Sequence, residues 1–166
     1  MTTVLSLIFP ALMAYAAASD LLTMTIPNKL TLLIVAAFAV FALATGLSGT
    51  AIILHVCAGA VMLAACFAMF ALGWMGGGDA KLAAGIALWL GFEPLVEYML
   101  VAAIGGGALT LLILFVRGTP VPTVALGWTW FARLHDHRAG VPYGIALAGA
   151  ALLIYPESPL LKGLVG

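Results

Sequence analysis

Between Lys29 and Asp79 the chain carries no Asp, Glu, Lys or Arg, so residues 30–78 are 49 consecutive uncharged positions. A membrane-spanning helix needs about 20 mostly apolar residues. The block is too long for one such helix and must fold as two. The turn falls at Thr45-Gly46-Leu47-Ser48-Gly49-Thr50, where Gly and Ser cluster. The rest of the chain is built alike: no charge precedes Asp20, none lies between Glu97 and Arg117, and none between Arg138 and Glu157.

Apolar residues make up 65% of the 166 positions and charged ones 7%. A soluble domain is about 45–50% apolar and roughly 25% charged, and one this small has too little interior to hide so much apolar surface. The chain therefore reads as an all-α integral membrane protein, a single polytopic domain over 1–166 whose surroundings are the lipid bilayer. With 6 basic and 6 acidic residues it offers no net field to a polyanion, so no nucleic acid is expected as a partner. Cys57 and Cys66 lie in the apolar block. They are too few for a zinc framework and read as small apolar residues rather than a disulfide.

The apolar runs predict six transmembrane helices, roughly 3–22, 30–46, 51–73, 80–92, 95–116 and 141–156. The fourth is short, and Glu93-Pro94 is expected to end it, because Pro stops a helix at the residue before it. Residues 118–140 read as an interfacial segment, since Trp128, Trp130 and Phe131 beside Arg133 suit the headgroup layer. Ala16-Ala17-Ala18 resembles a signal-peptide cleavage site, but the first Lys or Arg is Lys29. A retained helix is expected instead.

Six spans put Lys29, Lys81, Arg117, Arg133 and Arg138 on one side and Lys162 alone on the other. The positive-inside rule makes the first side cytoplasmic and both termini external. Omitting the fourth span would move three arginines outward. On this topology Asp20 ends the first span and Asp79 begins the fourth, so both reach the cytoplasmic boundary. Ionisable residues at the edge of hydrocarbon are expensive and point to function. Spacing alone leaves a second reading open, in which Asp79 caps a helix and Asp20 stands in water. The run Gly76-Gly77-Gly78 before Asp79 favours a site, because three glycines exceed what a cap needs. They allow tight turns and close approach of another backbone, such as an extended peptide brought to Asp79.

Gly76-Gly77-Gly78-Asp79-Ala80-Lys81 matches the GxGDxK pattern of the type IV prepilin peptidases, which are membrane aspartic proteases. Asp20 followed by Ile26-Pro27-Asn28 resembles that family's first aspartate and its Ile-Pro-Asn element. Val141-Pro142-Tyr143-Gly144-Ile145-Ala146 is similar to the start of its last helix. The three elements occur in order across nearly the whole chain. The resemblance implies an endopeptidase of the bacterial inner membrane, working at the cytoplasmic face to remove the leader of pilin-like precursors. Asp20 and Asp79 correspond to the catalytic pair, with Gly76, Gly78, Lys81, Pro27, Asn28, Pro142, Tyr143 and Gly144 as motif residues that position substrate. The chain resembles the short members tied to tight-adherence (Flp) pili, without the methyltransferase insert. One departure is the neutral stretch between Asp20 and Ile26, where the family often carries basic residues.

The chemistry fits independently. Amide hydrolysis needs an activated water and a protonated leaving nitrogen. Two carboxylates sharing one proton supply both, because like charges at close range do not both ionise. No metal or other cofactor is expected.

Several competing sites are weaker. Gly46-Leu47-Ser48-Gly49 looks like a rhomboid serine-protease motif, but needs a histidine base, and His55 has no supporting motif. His135-Asp136-His137 offers two imidazoles with no third ligand indicated, although Asp136 shares the cytoplasmic side. Gly105-Gly106-Gly107 suits close helix packing, and Trp89 suits the core. The alternative function is a small non-enzymatic transporter or channel subunit using Asp20 and Asp79 as ion or proton sites. A pilus-assembly scaffold without activity is a third. Sequence is silent on oligomeric state.

Overall fold

The computed structural model describes residues 2–120 and 127–165, and every regular element among them is a helix. In chain order these are α1 (Thr2–Thr23), α2 (Asn28–Thr45), α3 (Gly49–Ala71), α4 (Gly77–Leu90), α5 (Leu95–Arg117), α6 (Thr129–His135), α7 (Gly144–Ile154) and α8 (Pro159–Val165).

Four of them, α1, α2, α3 and α5, are long and apolar enough to cross a membrane. Their outward faces carry large apolar side chains such as Leu43, Ile53, Phe67, Ile104 and Phe115, all exposed. That pattern suits lipid, which solvates apolar side chains and leaves backbone groups to be satisfied within the helix. α4 is also apolar, but its 14 residues reach only about 21 Å, short of the ~30 Å hydrocarbon layer.

The turn after α2 lies where the glycines and serine predict it. Gly46 takes φ 66° and ends α2, and Ser48 opens α3 by accepting the Ala51 N–H at 3.2 Å. The fourth predicted segment differs at both ends. α4 begins at Gly77, so Asp79 lies inside its first turn rather than ahead of it. It stops at Leu90, ahead of Glu93-Pro94, because Gly91 takes φ 75°. A left-handed residue turns the chain at once, and glycine does so without a Cβ penalty. Pro94 instead caps α5.

The last predicted span is shorter than expected: α7 has 11 residues, a 3₁₀ turn at Tyr155–Glu157 follows it, and α8 lies beyond the predicted segment. Of the predicted interfacial stretch, residues 121–126 lie outside the described residues; the rest contains α6, with the Trp128 and Trp130 rings stacked 6.2 Å apart.

The short helix α4 is the centre of the bundle. From Leu82 to Leu90 only Ala84 is not buried, and α2, α3 and α7 pack around it. Small residues set the separations. A Cβ on Gly59 would lie 3.2 Å from Leu88 Cβ, and one on Gly85 would lie 3.1 Å from Ile34 Cγ2. Trp89 anchors the far end. Its indole N–H donates to the Ile34 carbonyl at 3.0 Å, and its ring meets Phe9, Phe38 and Phe41. Cys66 is buried as expected, whereas Cys57 is exposed; both are free thiols.

Candidate active site

At the other end of α4 a cleft of about 890 Å³ opens, lined by both Asp20 and Asp79. Its walls come from three places: Met24 to Ile26 after α1, Gly73 to Gly78 before and in α4, and Gly140 to Tyr143 before α7. Each of the three sequence motifs therefore contributes one wall.

Asp20 stands in the last turns of α1 and is buried. Its Oδ2 accepts the N–H of Gly144 at 2.7 Å. Gly144 is the first residue of α7, and a free N–H at a helix start favours an anionic acceptor. The contact leaves no room for a side chain on Gly144: a Cβ there would lie 2.8 Å from Asp20 Oδ2 and 2.9 Å from Ile26 Cδ1. α1 is closed just beyond Asp20 by Met24, a non-glycine residue at φ 55° whose N–H donates to the Asp20 carbonyl at 2.8 Å. Ser19 Oγ donates to the Thr25 carbonyl at 3.0 Å, which holds the neutral stretch against the helix.

Asp79 occupies the first turn of α4, which Gly76 begins without a side-chain cap bond. The cap residue is a glycine, and Asp79 stands three residues on, where an acidic side chain also favours the free N–H groups of a helix start. A Cβ on Gly76 would sit 3.0 Å from Asp79 Oδ2, so the bare backbone gives the carboxylate its room. Asp79 and Asp20 therefore face one cleft from two different helices.

Ile26 holds the three walls together. A Cβ on Gly78 would meet Ile26 Cβ at 3.3 Å, and one on Gly144 would meet its Cδ1. The glycines of the second and third motifs are thus the seats for the apolar residue of the first. Pro27 caps α2 with φ −63°, and Asn28 begins that helix. Lys81 Nζ donates to Asn28 Oδ1 at 2.9 Å, tying the start of α2 to the first turns of α4; neither residue lines the cleft. Pro142 is fully buried. Tyr143 hangs from the third wall: its hydroxyl donates to the Ala102 carbonyl at 3.3 Å, and its ring occupies the space a side chain on Gly106 would need. Gly105 and Gly107 have nothing within 4 Å of a Cβ. Of that glycine run only Gly106 makes a close contact.

The competing residues are elsewhere. Ser48 Oγ caps α3. His55 is buried with Nδ1 2.9 Å from the Leu88 carbonyl, at the end of α4 remote from Asp79. Asp136 accepts the N–H of Arg138 at 2.8 Å and does not line the cleft. Among the described residues no three His, Cys, Asp or Glu side chains are grouped to hold a metal ion. The packing roles of Ile26 and Gly106 were not legible, because an isoleucine within a motif and one glycine of three do not announce the residues they meet.

A model of the type IV leader peptidase family matches residues 7–116. That stretch includes Asp20, Pro27, Asn28, Gly76, Gly78, Asp79 and Lys81 and stops short of the third wall. No curated protein and no solved structure matches the chain.

Proposed function

Since the chain belongs to the type IV leader peptidase family, we propose that it is an aspartic endopeptidase that removes the leader from type IV pilin-like precursors. The observation that carries this reading is the lining of one cleft by two acidic side chains from distant parts of the chain, Asp20 and Asp79. One carboxylate takes a proton from a water lying between them. The other hydrogen-bonds the scissile carbonyl and then gives its proton to the leaving nitrogen. The pair titrates as one unit, and neither role belongs to one aspartate alone. The Gly144 N–H on Asp20 fixes one carboxylate, and the glycines before Asp79 leave an extended peptide space to approach.

The same proposal includes six spans, with the apolar helices α4 and α7 as the short ones, the cleft facing the cytoplasm and both termini outside. What supports it is the placing of five of six Lys and Arg residues on one side. The enzyme is a peptidase only, and its product leaves with an unmethylated N-terminus.

Co-expression with a pilin-like precursor in membranes, followed by mass spectrometry of the product, tests the reading. The intact chain yields the shortened precursor. Asp20→Asn and Asp79→Asn each abolish cleavage while still inserting, because Asn keeps size and hydrogen bonding but cannot cycle a proton. The double variant is no worse than either single one. Normal processing by Asp79→Asn ends the aspartic-protease reading. A transporter or channel would leave the precursor uncut by the intact chain as well.

A further inference from the structure

Arg117, the last residue of α5, is only 7% exposed. Among the described residues no carboxylate lies within ion-pair distance of it, the one ion pair there being Lys162–Glu157. Its guanidinium donates to three backbone carbonyls. Nε donates to Leu134 at 2.7 Å, and Nη2 donates to Ala139 at 3.1 Å and to Gly140 at 2.9 Å. Leu134 belongs to the last turn of α6, where unpaired carbonyls give a helix its negative end. A planar fork that reaches two segments at once is what arginine provides and lysine does not.

The chain beyond those carbonyls leads straight into the cleft. Gly140, Val141, Pro142 and Tyr143 form its third wall, and Gly144 donates its N–H to Asp20. Four residues separate the Ala139 carbonyl on Arg117 from the N–H on Asp20. One of them is a fully buried proline, whose ring fixes φ. Little freedom remains between the guanidinium and the carboxylate.

We propose that Arg117 is a positioning residue of the cleft, holding residues 139–144 so that the Gly144 N–H meets Asp20. The inference rests on the peptidase reading above. Arg117 itself does not touch the cleft, and its effect passes through the backbone it holds. Its charge alone would serve topology equally well as lysine, so the fork is what the test isolates.

The experiment compares Arg117→Lys and Arg117→Gln in the full chain, with the intact chain and Asp20→Asn as controls. One assay reads kcat and KM on the precursor, and the other reads backbone hydrogen exchange. Both variants lose about 10–100-fold in kcat, the range expected when a catalytic group is misplaced by up to an ångström. KM stays within about threefold, since no substrate contact is removed. Exchange rises across 136–144 and stays unchanged across 49–90. Wild-type kcat in Arg117→Lys overturns the proposal, because charge alone then suffices. A raised KM with normal kcat also overturns it, as does exchange that is unchanged or raised throughout the bundle. If the intact chain cleaves no precursor, the peptidase reading fails, and the exchange measurement alone decides whether Arg117 holds the wall.

Discussion

Replacing Gly144 with alanine adds one methyl group at the most crowded point of the cleft. The new Cβ would lie 2.8 Å from Asp20 Oδ2 and 2.9 Å from Ile26 Cδ1, where ordinary contact begins at 3.4 Å. Ile26 can yield partly by rotating its terminal methyl. Asp20 can yield only by moving away from the Gly144 N–H that holds it. A shift of roughly half an ångström is required, and since ~1 Å of misplacement costs up to ~10²-fold in rate, about a tenfold loss of cleavage follows. Overpacking also costs about 1–3 kcal/mol of stability. Gly149→Ala in the same helix is the matched control, because nothing lies within 4 Å of its Cβ. Ala is the better helix former by up to about 1 kcal/mol, so that variant should be as active as the parent and no less stable. Initial rates of precursor cleavage in membranes, normalised to inserted protein, give the comparison. Equal rates for Gly144→Ala and Gly149→Ala would refute the claim that the Gly144–Asp20 contact sets the geometry of the pair.

Two further outcomes follow from other contacts. The Lys81–Asn28 bond joins two exposed side chains, so Lys81→Met and Asn28→Ala should each cost no more than about 1 kcal/mol, and a double-mutant cycle in thermal melts should show them coupled by a similar amount. In a background without Cys57 and Cys66, Thr25→Cys should be labelled by a membrane-impermeant thiol reagent from the cytoplasm and Ser48→Cys from outside; Ala80 is too buried to serve as a labelling site, and labelling of both from one side would remove the proposed topology.

The gaps between charges made the long helices legible, because hydrocarbon imposes one requirement on every residue it touches. The same gaps brought Asp20 and Asp79 into view. What could not be read depends on partners far along the chain. Gly105, Gly106 and Gly107 are the same letter three times, yet one alone faces Tyr143. The stop of α4 at Gly91 depends on a left-handed turn beside His55, and proline nearby gave the more obvious local signal. Arg117 counted only as a positive charge at a helix end, since nothing in its neighbourhood announces three carbonyls that arrive from residues 134, 139 and 140.

The neutral stretch between Asp20 and Asn28 has its own physical logic. It must end α1, turn through Met24 at φ 55°, and deliver Ile26 into the gap between Gly78 and Gly144. Met24 to Ile26 also line the cleft, where a charged side chain would be drawn towards two acidic groups. A cation at position 26 would leave both glycine seats empty and compete with the Gly144 N–H for Asp20. Isoleucine fills both seats and brings no charge to the cleft that Asp20 and Asp79 line. The glycines of two motifs and the isoleucine of the third therefore form one packing unit, and Gly144, a member of that unit, is the residue whose N–H meets Asp20.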